Sequence, residues 1–514
     1  MRLRALVSIS ALLMALPFLG CGGGGASSPA TQTISFAKPG TQTVGAPLSL
    51  VASASSGLTV SFSSTTTGVC TVSGTAATFV ASGTCTIDAN QAGNSAYAAA
   101  AMVAQSFSVN GESQTITFAN PGGQTFGSPL TLVATASSGL TVSFTSTTTG
   151  VCTVNGTTAT FVTTGTCTID ANQAGNSAFA AAAVIEQSFN VINVYVAGVA
   201  GVTTQAPNYI FLATCWKNGA VFNVSNGLGN AFANGITVDD SGNFYAVGYT
   251  LTGPTNNIQT ATIWTKGSDL PLADGTNGTA GGIALSGSDV YIVGTSSSGT
   301  AYWMDGVAYS LADGTAEGEA NSIAISGSDV YEAGNVIDPT SLKTLAAYWK
   351  NGVATNLTNG ITQVEVYGIA VSSSGDVYVV GYTDSATTGA MTATYWKNGV
   401  ATELTDGTTF AALNGITISN SGDVYVAGWT STATGTGIAT YWKNGVATNL
   451  TDGTESSYAN AIAVSSSGDV YVAGYTNSAT TGKTIATYWK NDVATNLTDG
   501  TLDAKANAIF LSEQ

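Results

Sequence analysis

The strongest constraint on this chain is a motif that returns seven times across its last 322 residues. It reads "GDVYVAGYT" at residues 468–476 and recurs with its tyrosine at 195, 245, 291, 331, 378, 425 and 471. The successive spacings are 50, 46, 40, 47, 47 and 46 residues. Self-similarity at such a period means that one supersecondary unit is repeated, each copy needing its neighbours to bury its faces.

Two further motifs recur in step. One is aromatic ("TYWKNGVAT") and centred on Trp216, Trp264, Trp303, Trp349, Trp396, Trp442 and Trp489; the other ("ANAIAVSSSG") carries isoleucines at 236, 283, 323, 369, 416, 462 and 509. In residues 368–408, "GIAVS" and "DVYVVGYT" read as strands joined by a tight turn, and "TATYWK" and "VATELT" as strands joined by Asn-Gly, a two-residue hairpin signal. Each unit is therefore a four-stranded meander, apolar on both faces, and a period of 40–50 is that of propeller blades. The array opens on "NVYVAG" without a preceding first strand and ends on "ANAIFLSEQ", a first strand with nothing after it. The expectation is a seven-bladed β-propeller over residues 193–514, its ring closed by the C-terminal strand, which covers both otherwise open edges.

Residues 32–110 and 113–192 are near-copies offset by 82. Alternating stretches such as "LTVSF" and "CTIDA", broken by Gly/Ser/Asn turns, predict short antiparallel strands and a sandwich. The shared "VCTV…GTCTI" pattern is similar to the bacterial immunoglobulin-like repeats found in series on surface proteins, so the fold class expected for the whole chain is all-β, two tandem Ig-like sandwiches followed by the propeller. Each module has two cysteines 15 apart, Cys70 with Cys85 and Cys152 with Cys167. In an exported protein these read as one disulfide per module, since no further Cys or His is at hand for a metal site.

The N-terminus reads as an export signal: "MRLR" is basic, "ALVSISALLMALPFLG" is apolar and short for a membrane span. It ends in "FLGC", which resembles the lipobox of bacterial lipoproteins, with Phe18 where Leu is usual. That resemblance implies removal of residues 1–20 and lipidation of Cys21, followed by a Gly/Ser-rich tether over residues 21–31. Gly22, where some bacteria place an inner-membrane retention Asp, favours the outer membrane and a surface-exposed protein. The 12 basic residues include only two arginines, Arg2 and Arg4, and there is no histidine. Without residues 1–20 the chain holds 10 lysines against 29 acids, a net charge of −19. Such a chain is repelled by phosphate backbones, which argues against nucleic-acid binding.

From "DDSGNFYAVGYT", residues 239–250, the array looks like the bacterial SBBP-type beta-propeller repeat, an apolar strand, then Asp-Ser-x-Gly-Asn, then Tyr-Val-x-Gly. The other copies keep the tyrosine and glycine and often carry Ser for the first Asp. The resemblance implies a fold and little about activity, since propellers host unrelated functions.

Candidate sites follow from departures. Glu332 stands where other copies carry Val, Ile or Ala; a carboxylate there must be solvent-lined near the central channel or paired. Glu317, Glu319, Glu365 and Glu455 fall in loops leading into first strands, and Asp338 and Asp384 in loops after second strands, so these six could form an acidic funnel on one face. Cys215 reads as a buried free thiol. Without His or Arg, a Ser-His-Asp triad, a His-based zinc site and an arginine clamp are excluded, and no catalytic constellation or cofactor site is recognisable. The expectation is a monomeric, non-enzymatic surface module binding a glycan or a surface protein, with a carboxylate-dependent glycosidase or a purely structural role as alternatives. The acids repeated in turns read as structural, with calcium as the competing role for their oxygens. Structural turns predict that EDTA leaves the thermal midpoint unchanged; a fall on chelation would assign calcium to them.

Overall fold

The computed structural model describes residues 28–205, 208–252, 258–265, 268–311, 318–338, 340–360 and 362–513. Cys21, the leader before it and the tether as far as residue 27 lie outside them, as does Glu317. The described residues are all-β and divide into two compact units. One comprises residues up to 116 with 136–141 and 173–183; the other comprises 117–135, 142–172 and everything from 184.

In the first repeat module the strands Gln42–Thr43, Val103–Asn110, Gly83–Asn90 and Ser61–Ser64 form one sheet, and Leu48–Ser49, Ala76–Phe79 and Cys70–Ser73 another. Cys70 and Cys85 are disulfide-bonded, with Cα atoms 5.7 Å apart, and so staple the two sheets across a core of Phe36, Phe79, Ile87 and Phe107. Cys152 and Cys167 form the same bond in the second copy. A closed loop of that length stabilises by about 3 kcal/mol in the chain-entropy account. Both disulfides match the sequence expectation and the oxidising conditions outside the cytoplasm.

No linker separates the second copy from the array. One continuous strand, Ile185–Gln205, pairs with Gly165–Asn172 at its start and with Asn208–Lys217 and Ala504–Ser512 further along. The boundary expected at 192/193 therefore falls inside a strand. Gly123 donates its N–H to Asp469 Oδ2 at 2.8 Å and accepts a bond from Lys490 Nζ through its carbonyl.

The array contains six four-stranded meanders at residues 231–276, 280–310, 318–356, 364–403, 411–449 and 457–496, here sheets 2 to 7. Sheet 1 is made of the Ile185–Gln205 strand, Asn208–Lys217, Ala220–Asn223 and, from the far end of the chain, Ala504–Ser512. The first strands of successive sheets are neighbours in a closed cycle, from 504–512 through 231–238 and onward to 457–464 and back. One tryptophan is buried at each junction, at no more than 1% exposure. Trp264, for example, packs on Tyr195 and Cys215 of sheet 1, and Trp489 on Tyr425 and Val472.

The repeated glycine of the "YVAGYT" motif explains the geometry of these junctions. A Cβ on Gly381 would lie 1.9 Å from the Glu365 carbonyl oxygen, and one on Gly248, 1.9 Å from that of Phe232. Gly198, Gly294, Gly334, Gly428 and Gly474 meet the carbonyls of Lys505, Thr279, Glu319, Ala412 and Tyr458 in the same way, all within 2.1 Å. Only glycine admits that approach. Directly after the close contact every first strand slips register by one residue, as between Ala459 and Ala461 opposite Gly474 and Ala473. This β-bulge turns one residue out of the ladder. In five sheets that residue is asparagine, and its side-chain amide donates to a carbonyl of the next sheet: Asn234 to Ala280 (3.0 Å), Asn321 to Val366 (2.8 Å), Asn414 to Ala459, Asn460 to Ala506 and Asn507 to Ala233 (each 2.9 Å). The last of these joins the C-terminal strand to sheet 2. Gly281 and Tyr367 occupy the remaining two positions.

Forcing a Cβ against a carbonyl inside a packed sheet costs about 3 kcal/mol. Gly381→Ala should therefore lower the thermal midpoint by roughly 5–10 °C, whereas Asn460→Ala, which removes one neutral hydrogen bond of about 1 kcal/mol, should lower it by only a few degrees. Equal effects of the two would contradict this account.

Candidate functional site

The acids repeated around the array are used locally. Asp329 accepts from Asn351 Nδ2 at 2.8 Å and pairs with Lys350 Nζ at 2.8 Å, while Asn351 Oδ1 accepts the Val330 N–H at 2.9 Å. The Lys350 ammonium lies 5.2 Å from the centre of the Tyr331 ring. Asp376 with Lys397 and Asn398, and Asp423 with Lys443 and Asn444, repeat the arrangement. Hydrogen bonds from the lysine and the asparagine hold these three carboxyls below the usual carboxylate range. Asp452 and Asp499 instead take the N–H and hydroxyl of the threonine two residues on, which lowers them too. Among the described residues no group of three or more acids or cysteines is placed to hold a metal ion.

The residues whose carbonyls meet the repeated glycines occupy equivalent positions at one end of the ring of first strands. In ring order they are Lys505, Phe232, Thr279, Glu319, Glu365, Ala412 and Tyr458. In a cycle of seven, sheet 1 faces the junction of sheets 4 and 5. Lys505 therefore stands across the ring from Glu319 and Glu365.

The acidic side holds two hydrogen-bonded groups on adjacent first strands, one at Glu319 and one at Glu365. Asn335, 4% exposed, donates to Glu319 Oε1 at 3.1 Å and accepts the Val366 N–H at 3.1 Å, bridging sheets 4 and 5. Tyr367 donates its hydroxyl to Glu365 Oε2. Tyr382, opposite Glu365 in register, is pushed up to about 12 by burial and then by the Glu365 carboxylate. Burial and Glu365 also push Tyr367 upward. Both phenols stay protonated as donors. The other side is aromatic. Trp429 of sheet 6 meets Tyr458 of sheet 7 edge-on at 5.2 Å, Tyr458 stacks on Tyr475 at 5.0 Å, and Lys505 Nζ lies 4.6 Å from the centre of the Tyr475 ring. Phe211 of sheet 1 meets Phe232, which stacks on Tyr249 at 5.0 Å.

Of the expected funnel residues, Glu319 and Glu365 lie within the neighbouring first strands Gly318–Ser326 and Val364–Val371 rather than in the loops before them. Glu455 sits in the exposed loop before Ser457–Val464. Asp338 closes a turn, accepting from the Ser341 hydroxyl at 2.6 Å and the Thr340 N–H at 3.0 Å, which lowers its carboxyl. Asp384 is half-buried at the end of Val377–Asp384. Cys215 is a buried free thiol, pushed upward by burial. Sequence reasoning missed the bulge asparagines, although the "ANAIAV" motif displays them, and the aromatic side, whose members come from two strands per sheet.

Among the described residues Glu332 is neither solvent-lined nor paired. It is 1% exposed, opposite Ile323 and Trp349, and its Oε2 has no hydrogen-bond partner among them. Burial pushes its carboxyl up to about 7.

Residues 359–386 and 450–479 match the family described as "Beta-propeller repeat" (SBBP), covering the first two strands of sheets 5 and 7. No curated protein matches the chain. Among solved structures, a quinonprotein alcohol dehydrogenase-like protein from Bacteroides thetaiotaomicron is similar at a TM-score of 0.35 and 12% identity, over 77% of this chain and 97% of that one. A fucose lectin from Kordia zhangzhouensis gives 0.22 and 11%, over 25% and 95%. A puromycin-hydrolyzing peptidase of Mycobacterium tuberculosis gives 0.37 and 10%, over 58% and 53%. The matched repeats make the array a beta-propeller; the structural likenesses carry no activity or ligand across.

The state of Glu332 makes stability depend on pH with a definite sign. Its folded pKa lies above the ordinary 4.5, so between pH 4.5 and about 7 the folded chain binds more protons than the unfolded one. Stability therefore falls as pH rises through that window, by about 3 kcal/mol in all at roughly 1.4 kcal/mol per pH unit. Glu332→Val, the residue of Val379 and Val426 at this position, should remove the decline in a melting series from pH 4.5 to 8. A variant that declines as the parent does would refute the assignment.

Proposed function

We propose that the chain is an exported binding protein, anchored by lipid on Cys21 in the outer membrane, whose two Ig-like sandwiches hold a seven-bladed propeller off the surface. The seven blades are supported by the closed cycle of first strands, with the C-terminal strand completing sheet 1. The two disulfides support export.

The observation that carries a binding role is the asymmetry of one end of the ring. Seven equivalent positions could all bear the same residue if they served the fold alone. Instead a cation with stacked aromatics stands across from two carboxylates held by tyrosines and an asparagine. Aromatic faces take the apolar face of a sugar ring or an aromatic side chain, and the fixed polar groups orient the ligand. Glu365 and the phenols are hydrogen-bond partners in this reading, and no residue is assigned to bond cleavage. The ligand is a glycan or a surface protein, bound by a monomer, with no cofactor.

The test is an array of glycans and cell-surface extracts probed with the full exported chain. Binding to a defined subset is expected, weakened about tenfold or more by Trp429→Ala and by Glu365→Gln. No ligand at all, or affinities that neither change touches, would overturn the proposal.

A further inference from the structure

A second feature breaks the repeat away from the ring end. A cleft of about 690 Å³ lies between sheets 4 and 5, walled by the outer strand of sheet 4 with the loop after it and by the second to fourth strands of sheet 5. It is of the size that holds small organic ligands. None of the ring-end residues lines it.

Two carboxylates, Asp384 and Glu403, face this cleft and accept no hydrogen bond among the described residues. A third, Asp406, is engaged by the N–H and hydroxyl of Thr408. The chain itself shows that the first two are not needed for folding. In sheet 7 the same register positions are Asn477 and Asn496. Asn496 accepts from the Thr487 hydroxyl at 3.2 Å, as Asn449 does from Thr440 and Asn223 from Thr214. In sheet 5 the corresponding Thr394 keeps the bonds that Thr440 also makes, to the facing threonine (Thr383) and to the carbonyl two residues back (Thr392), and makes none to Glu403. Independently, Thr392 is 1% exposed and lines the cleft, and no described residue hydrogen-bonds to its hydroxyl. A hydroxyl so placed, in a wall otherwise closed, calls for a partner from outside the protein.

Two unpaired carboxylates in a chain of net charge −17 favour a cation. The described acids are not grouped to hold a metal ion, so the charge fits an organic ammonium. The remaining wall is mainly polar, with Asn356, Thr358, Thr383 and Ser385 alongside Leu357 and Trp396, a mixture that favours a polyhydroxy ligand with an apolar ring face over a basic peptide. We propose that this cleft binds a glycan bearing a free amino group, with Asp384 and Glu403 on the ammonium and Thr392 on a sugar hydroxyl. The assignment is independent of the ring-end reading.

The test is titration of the full chain with a tetramer of β-1,4-linked glucosamine, its N-acetylated counterpart and tetralysine. The free amine should bind at least tenfold tighter than the acetylated tetramer, and binding should weaken with salt. The double variant Asp384→Asn, Glu403→Asn should lose at least tenfold in affinity, as expected of charge-assisted hydrogen bonds, with its melting temperature unchanged. Equal binding of the acetylated tetramer, an unaffected double variant, preference for tetralysine, or no binding of the free amine would each overturn the proposal.

Discussion

The array depends on one close approach, the carbonyl of a first-strand residue lying where the Cβ of any residue but glycine would stand in the second strand. That contact is found at all seven glycines of the repeat. It is followed each time by a bulge, and the bulge frees one residue from pairing within its own sheet. Where that residue is asparagine, it crosses to a backbone carbonyl of the next sheet and satisfies a group that the bulge would leave open. A sequence constraint on backbone packing thereby becomes a link between neighbouring sheets, and Asn507 to Ala233 carries it across the ends of the chain.

Much of this was legible beforehand because repetition amplifies weak signals. Seven tyrosines in step with seven tryptophans specify four-stranded units, and Asn-Gly marks the hairpin between the third and fourth strands, where Asn351, Asn398 and Asn444 adopt positive φ. The unpaired strand at each end predicts the pairing of 193–200 with 504–512 that the structure contains. The cysteine pairs were legible for the same reason. The continuity of Ile185–Gln205 was not, because an uninterrupted strand can serve two sheets without any change of composition.

The site was only half legible. Departures from the repeat pointed to Glu319 and Glu365, but what holds them is Asn335 for the one and Tyr367 for the other, which look unremarkable along the chain. Glu332 was conspicuous, yet burial decides its state, and burial is set by the neighbouring sheet rather than by its own strand. Glu403 escaped notice because Asn to Glu in "VATE" resembles ordinary surface drift; it stands out only once the bond that Asn449 and Asn496 take from their facing threonines is seen to be missing at Glu403. Departures nonetheless concentrate in sheets 4 and 5. These are joined by Asn321 and Asn335, while Gly281 and Tyr367 leave out the asparagine link on either side of the pair.

The central claim is that the sheets departing from the repeat are those that meet the ligand. Hydrogen–deuterium exchange with and without a bound glycan tests it most directly. Protection is predicted in peptides covering 318–338 and 362–413 and at the aromatic positions 425–431 and 457–477, with sheet 3 little changed. Protection spread evenly over all the sheets, or confined to sheets outside that sector, would contradict it.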